Sequence, residues 1–246
     1  MKEMAVALTQ DRGPDAYFTR QDAISWFAQK YPKIKTGTVS AHLTRLSTNA
    51  RSRTHHNVKP GEDDVLFQLD SSRYRHYRPE QDPAPIYPGN ATSESSKVLE
   101  GEDEEAITEQ SGGGEFAYET DLRNYLAKNL NRLEPGLRVY DEEGITGIEF
   151  PVGGRFIDIL ATDAKGGLVV IELKVARGYD RVVGQLMRYV AWVKKNLAEP
   201  DQSVRGLIIA RKISEDLLLA CSMVPDVELF EYELSLSLRR VDETRA

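Results

Sequence analysis

Two short runs do most to limit what this chain can fold into. Phe156-Ile157-Asp158-Ile159-Leu160 and Val169-Val170-Ile171-Glu172-Leu173-Lys174 are apolar enough to be buried strands, and Asp163-Ala164-Lys165-Gly166-Gly167 between them is turn chemistry. Together they predict a hairpin, yet each run carries charge where a buried strand should carry none. Carboxylates and lysines rarely enter such strands unless they are paired or hold a metal. The strand period of two puts Glu172 and Lys174 on one face, with Leu173 pointing the other way. A tight hairpin brings Asp158 beside them, where two carboxylates repel and a divalent cation relieves the cost.

That trio suits hydrolysis of a phosphodiester. Asp158, Glu172 and the backbone carbonyl of Leu173 are hard oxygen ligands for Mg²⁺ or Mn²⁺, which lowers the pKa of a bound water and stabilises charge on the phosphate. Lys174 would orient the water or help neutralise the developing charge. The competing account is a salt bridge from Lys174 to Asp158 or Glu172 across a β-pair. An Asp one strand earlier, with both strands apolar, favours the metal site.

Around the hairpin, helical and strand periods alternate. Tyr118 to Leu130 predicts an amphipathic helix with Leu122, Tyr125, Leu126 and Leu130 on one face, ended at Glu134-Pro135-Gly136. Short strands are expected near Leu137 to Tyr140 and Ile145 to Phe150. Asp180 to Asn196 predicts a long helix and Val204 to Ala210 a buried strand. Ser214 caps a helix reaching about Ser222, and Val227 to Tyr232 is a last strand. The region is an α/β domain with a mixed sheet.

Upstream lies a segment of different character. Residues 79–114 are rich in Pro, Ser, Glu and Gly and hold one Lys against nine Asp and Glu, net −8. Such a stretch buries too little apolar surface to offset its ordering entropy and predicts a flexible acidic linker. It masks a basic N-terminal region, since residues 1–78 carry 13 Lys and Arg against 8 Asp and Glu although the whole chain is net −7. In that region Thr19 opens a helix that Pro32 closes, and a second helix begins near Thr36 or Thr38, with Val39, Ala41, Leu43 and Leu46 inward. Val65 to Leu69 and Arg73 to Arg78, joined at Asp70-Ser71-Ser72, predict a β-hairpin. Two or three helices followed by a hairpin is the order of a winged helix.

A winged helix usually lays its second helix in the major groove of DNA and its wing along phosphates or the minor groove. Thr36 to Asn49 is the expected recognition helix, with Ser40, Thr44 and Arg45 facing out. Arg51, Arg53, Lys59, Arg73, Arg75 and Arg78 are available for phosphates. Tyr74 and Tyr77 either stack on bases or pack the wing. All four histidines (His42, His55, His56, His76) fall in this region. This excludes a His-Asn-His nuclease or a histidine zinc hydrolase in the C-terminal half, and a His55-His56 metal site has no cysteine to support it. Protein contacts are the competing use of the domain, against which its net +5 favours double-stranded DNA.

The run Gly153-Gly154-Arg155-Phe156-Ile157-Asp158-Ile159-Leu160, then Val169 to Lys174, then Gly184-Gln185-Leu186-Met187-Arg188-Tyr189 resembles the C-terminal domain of the NucS/EndoMS endonucleases, members of the PD-(D/E)xK superfamily. The upstream Leu122 to Leu130 matches too, so the resemblance covers roughly residues 115–241. It implies a restriction-endonuclease-like mixed sheet with flanking helices, Asp158 and Glu172 as metal ligands, and Lys174 as the catalytic lysine. Gln185 and Tyr189 match the family's Q-x-x-x-Y helix motif, whose i, i+4 spacing gives them one helix face, although Tyr189 serves equally as core. Glu119 stands where related nucleases often place an extra carboxylate, or simply matches the helix dipole. Arg155 contacts phosphate or pairs with Asp158 or Glu172. Nothing in residues 1–78 resembles the β-rich N-terminal domain of NucS/EndoMS, so mismatch specificity does not transfer.

The expected organisation is therefore a winged-helix-like DNA-binding domain over 1–78, a linker over 79–114 and a nuclease domain over 115–246. A DNA reader tethered to a nuclease resembles restriction enzymes, including those that cut modified DNA. Mismatch or other repair is the second reading, and an inert DNA-binding regulator the third, against which the intact Asp158, Glu172 and Lys174 argue. A homodimer fits because cutting both strands takes two sites, but no sequence feature shows one. No run approaches the roughly 18 apolar residues of a membrane span, the N-terminus has no secretory signal, and the single Cys221 reads as a buried hydrophobe. A cytoplasmic location fits.

Overall fold

The computed structural model describes residues 1–87, 113–174 and 181–233, apart from residues 11, 14 and 143. The N-terminal part comprises helix α1 (Lys2–Thr9), strand β1 (Phe18–Thr19), helices α2 (Arg20–Lys30) and α3 (Thr36–Leu46), a 3-10 turn at Arg51–His55, and strands β2 (Leu66–Gln68) and β3 (Arg73–His76). The strands pair antiparallel in the order β1-β3-β2. The helices precede a β2–β3 hairpin, the order expected of a winged helix, and the hairpin stands where the wing was expected. Thr19 starts α2 with a full capping box, its side chain and that of Asp22 each satisfying the other's backbone N–H. At the wing's turn Asp70 accepts from the N–H groups of Ser72 (2.9 Å) and Arg73 (2.8 Å), and the Ser72 bond leads the contacts that hold its carboxyl down at about 2. Met4, Phe18, Phe27, Leu43, Leu66 and Tyr74 pack into one core. Tyr74, stacked with Phe18 and 1% exposed, packs the wing and is closed to a base.

The stretch expected to be linker from residue 79 starts as part of this domain. Asp82 pairs with Arg75, Ile86 N–H donates to Thr48 O at 2.9 Å, and the Tyr87 hydroxyl reaches Asp64. Its short apolar pieces thus find partners that composition did not reveal. Residues 88–112 of the expected linker lie outside the described residues.

The C-terminal part opens with α4 (Gly113–Asn129), so Gly113 and Gly114, at the end of the expected linker, already enter a helix. Strands β4 (Arg138–Val139), β5 (Asp141–Glu142), β6 (Ile145–Thr146), β7 (Ile148–Val152), β8 (Arg155–Thr162) and β9 (Leu168–Lys174) follow. Then come α5 (Val182–Asn196), β10 (Val204–Ala210), α6 (Glu215–Ser222) and β11 (Val227–Glu231). The sheet runs β11-β10-β9-β8-β4, with β7 also paired to β8. It is mixed: β9, β10 and β11 are parallel, while β8 is antiparallel to β9, β7 and β4. Helices α5 and α6 cover one face with Leu186, Val193, Leu217 and Cys221, and α4 covers the other with Leu122, Leu126 and Leu130. Among the described residues no helix is long and apolar enough to cross a membrane.

The two parts pack directly on each other through α3. Ala41, wholly buried, belongs to the same core as Tyr140, Ile145 and Phe150. A Cβ placed on Gly37 would lie 3.2 Å from Asn196 O and 3.3 Å from Leu197 Cβ. Asn57 N–H donates to Gly144 O at 3.1 Å, Thr146 Oγ1 donates to His55 O at 2.8 Å, and Lys35 pairs with Glu199 at 3.4 Å. This overturns the expected recognition face. Ser40 and Thr44 are buried at 4% and 5% exposure rather than turned to solvent, because the small residues along this side of α3 admit the second domain.

Candidate active site

The expected hairpin forms between β8 and β9. Ile159 pairs with Ile171 and Thr162 with Leu168, and Asp163 closes the turn by accepting from Lys165 N–H (2.9 Å) and Gly167 N–H (2.8 Å). One step past Ile159 and Ile171 the ladder stops. There Leu173 N–H donates to Asp158 Oδ2 at 2.8 Å, so the carboxylate takes the place of a backbone partner. Strict alternation also slips here. Ile157 and Leu160 point into one core, while Ile159 and Ala161 point into the other, so the alternation of β8 breaks at Asp158. The alternation breaks where the charge sits, and Asp158 lies near enough to Glu172 for their charges to interact.

Glu172 is 2% exposed on the face covered by α5. Its Oε1 accepts from Lys174 Nζ at 2.9 Å and from Gln185 Nε2 at 2.6 Å. Gln185 stands 3.4 Å from the Tyr189 hydroxyl, so the i, i+4 pair of α5 does share a face over the site. The second oxygen, Glu172 Oε2, is buried without a hydrogen-bond partner. Burial raises the Asp158 carboxyl well above its ordinary range, with the Glu172 charge adding to the shift, and burial likewise raises Glu172. Burial opposes the charge on Lys174, but the carboxylates of Glu172, Asp158 and Glu119 together outweigh it and lift the ammonium's pKa. Tyr189 is raised by burial and by Glu172, so its hydroxyl stays protonated.

The orphaned Oε2 beside a second buried carboxylate fits a hard divalent cation, since an unsatisfied buried oxygen is costly and metal coordination removes the cost. Asp158, Glu172 and the Leu173 carbonyl are the residues that would hold it. Among the described residues no three His, Cys, Asp or Glu side chains cluster closely enough to hold a metal alone, so water would complete the shell. Glu119, on α4, lies near enough for its charge to act on Asp158, Glu172 and Lys174. Arg155 is exposed, and its charge acts on Tyr189 rather than pairing with either carboxylate.

The expected DNA-contacting residues are not gathered together. Arg53 is fully buried, paired with Asp64 and set 5.3 Å over the Tyr87 ring. Arg45 pairs with Asp63 at 2.8 Å, Arg75 with Asp82, and Arg78 with Asp15 at 3.1 Å. These four serve the domain's own structure. Arg51, Lys59 and Arg73 remain exposed, Lys59 next to Glu62 and Arg73 next to Asp70. Of the histidines, His56 is buried with its Nδ1 accepting from Thr146 N–H at 3.3 Å, and burial drives its pKa down to about 4.

One charged cluster escaped the sequence reading. Glu149, on β7, has φ +46 and pairs with Arg123 of α4 at 2.7 Å and with His55 at 3.4 Å. Like Asp158, it interrupts the ladder, because β7 and β8 pair at Ile148 and Phe150 but not between them. Its signal was a carboxylate within the apolar run Ile148-Glu149-Phe150, the same one that marked Asp158.

Residues 118–235 match the family of the endonuclease NucS C-terminal domain, and residues 1–76 match a domain family of unknown function, DUF7669. Endonuclease NucS of an Arthrobacter species is 35% identical over 130 residues, covering 52% of this chain and 51% of that protein. Endonuclease NucS 2 of Halobacterium salinarum is 35% identical over 101 residues, 41% of this chain and 36% of that one. A repair endonuclease structure from Pyrococcus abyssi aligns over 47% of this chain and 46% of its own, at 25% identity and TM-score 0.39. The structure of EndoMS with double-stranded DNA aligns over 55% and 50%, at 23% identity and TM-score 0.39. Residues 118–235 are thus similar to the NucS C-terminal domain, and the chain spans about half or less of the length of these curated relatives.

Proposed function

We propose that this chain is a divalent-metal-dependent DNA endonuclease of the PD-(D/E)xK type, in which the N-terminal domain selects the site. The observation that carries the reading is Glu172 Oε2, buried and unpartnered beside Asp158 within the segment that matches NucS. Asp158 and Glu172 would hold Mg²⁺ or Mn²⁺, which would supply Lewis acidity toward the phosphodiester and lower the pKa of a water. The chain's own groups do the rest. Lys174 and Gln185 both bond Glu172 Oε1, which fixes the carboxylate and leaves its other oxygen presented. The Lys174 ammonium keeps its charge and offsets the negative charge that builds on the phosphate. The protonated Tyr189 hydroxyl and the exposed Arg155 are donors for non-bridging phosphate oxygens.

The biological role we assign is restriction, with modified DNA as the first substrate class to test, because the N-terminal domain matches a family distinct from NucS. Double-stranded DNA is the substrate, and a homodimer would supply the two sites that cutting both strands requires. The protein and an Asp158→Ala variant are incubated with methylated plasmid, unmethylated plasmid and a mismatched duplex in Mg²⁺ or Mn²⁺. Cleavage of methylated plasmid alone, lost in the variant, is the expected result. Cleavage confined to the mismatched duplex replaces restriction with repair. Binding without cleavage of any substrate leaves an inert regulator.

A further inference from the structure

Helix α3 cannot enter a DNA groove while Ala41 sits in the nuclease core and Gly37 lies against Leu197. We infer that duplex DNA is held instead along a basic track built jointly by the two domains: Arg188 of α5, the turn Gly153-Gly154-Arg155 between β7 and β8, and Arg20 and Arg73 beside the wing. The inference rests on the DNA-endonuclease reading above and assigns the surface that reading needs.

The track can be followed outward from the catalytic carboxylates. Gln185, bonded to Glu172, shares a helical stripe with Arg188 and Trp192, at positions i, i+3 and i+7 of α5. The Trp192 indole nitrogen lies 3.7 Å from where a Cβ on Gly153 would stand, so the stripe meets the β7–β8 turn. Gly153 and Gly154, at φ +57 and +91, are exposed and carry no side chain to keep a phosphate from their backbone. An Arg20 guanidinium nitrogen lies 3.9 Å from the corresponding point on Gly154. The other terminal nitrogen of Arg20 donates to Ser71 O at 2.9 Å and Tyr74 Oη at 3.1 Å, which ties this turn to the tip of the wing and to Arg73. Arg155 and Arg188 are exposed and have no ion pair among the described residues. Unpaired guanidinium groups in a row suit a phosphate backbone, each releasing counterions on contact. Among the described residues, Asp70 is the one carboxylate paired to a track residue, through Arg73.

Binding is read by fluorescence anisotropy on a labelled duplex, in chelator so that nothing is cut. The double variant Arg155→Glu, Arg188→Glu is expected to lose affinity by about tenfold or more at 0.1 M salt and to flatten the salt slope by about two. Arg73→Ala should lose a few-fold, and Lys194→Glu, on the opposite edge of α5, less than about twofold. A second experiment locks α3 in place: Gly37→Cys with Leu197→Cys in a Cys221→Ala background places two Cβ atoms 3.3 Å apart, within a few tenths of an ångström of disulfide geometry. Oxidised and reduced forms should bind equally. Unchanged affinity and salt slope in the charge variants overturns the track. Loss of binding on oxidation, restored by reductant, also overturns it and shows that α3 must undock to read DNA. If the unaltered protein neither binds nor cuts duplex DNA, the endonuclease reading itself fails.

Discussion

The proton on Asp158 gives the carboxylate pair a measurable signature. An unfolded aspartate ionises near pH 4, whereas burial and the Glu172 charge hold the folded group far higher. The unfolded chain therefore releases its proton first, and stability falls as pH rises through the window between the two values. Asp158→Asn removes this dependence while keeping an oxygen for the Leu173 N–H. In chelator the variant should match the unaltered protein near pH 4 and surpass it by a few degrees in Tm at pH 8. Millimolar Mn²⁺ should raise the Tm of the unaltered protein and leave the variant where it was. Thermal unfolding across pH, with and without Mn²⁺, measures both. A variant that is less stable at every pH would mean that the carboxylate acts as a structural acceptor rather than a metal ligand.

At the scale of elements, β8 is met by a close backbone approach near Asp158. Gly147 N–H donates to Tyr140 O at 2.8 Å and Leu160 N–H donates to Gly147 O at 2.7 Å, locking the segment before β7 across the strand two residues from Asp158. A Cβ on Gly147 would fall 1.9 Å from Leu160 O, a collision only backbone movement relieves. Gly147→Ala should cost about 3 kcal/mol or more in urea unfolding and weaken the Mn²⁺-induced Tm shift, since β8 must move. Much of the rest was legible because its causes are local. The Asp163 turn, the Ser214 cap and the apolar run of β10 each declare themselves within a few residues. Helix α1 was not read, because its buried Met4 and Ala5 are too few to set a helical period. The slip at Asp158 and the pairing of Glu149 with Arg123 were hidden for a different reason: both depend on which strands and helices come together. The carboxylates were readable as out of place, but their partners were not.

For the whole molecule, the decisive feature is a small-residue face used against the neighbouring domain rather than against DNA. Val39, Leu43 and Leu46 fill the N-terminal core from one side of α3, and Gly37 and Ala41 meet the C-terminal domain from the other. A helix with both sides occupied ties two cores into one cooperative unit, provided the interface stays intact. Ala41→Glu tests that link directly. It leaves the N-terminal core residues untouched but drives a carboxylate among Tyr140, Ile145 and Phe150. The side chain must either bury its charge, at a cost of several kcal/mol, or push the domains apart. Separation is the cheaper outcome, because each part keeps its own core. Calorimetry should then show one transition for the unaltered protein and two for the variant, the two parts melting independently. A single transition shifted to lower temperature would instead mean that neither part folds without the other, and that the junction at α3 is one continuous core.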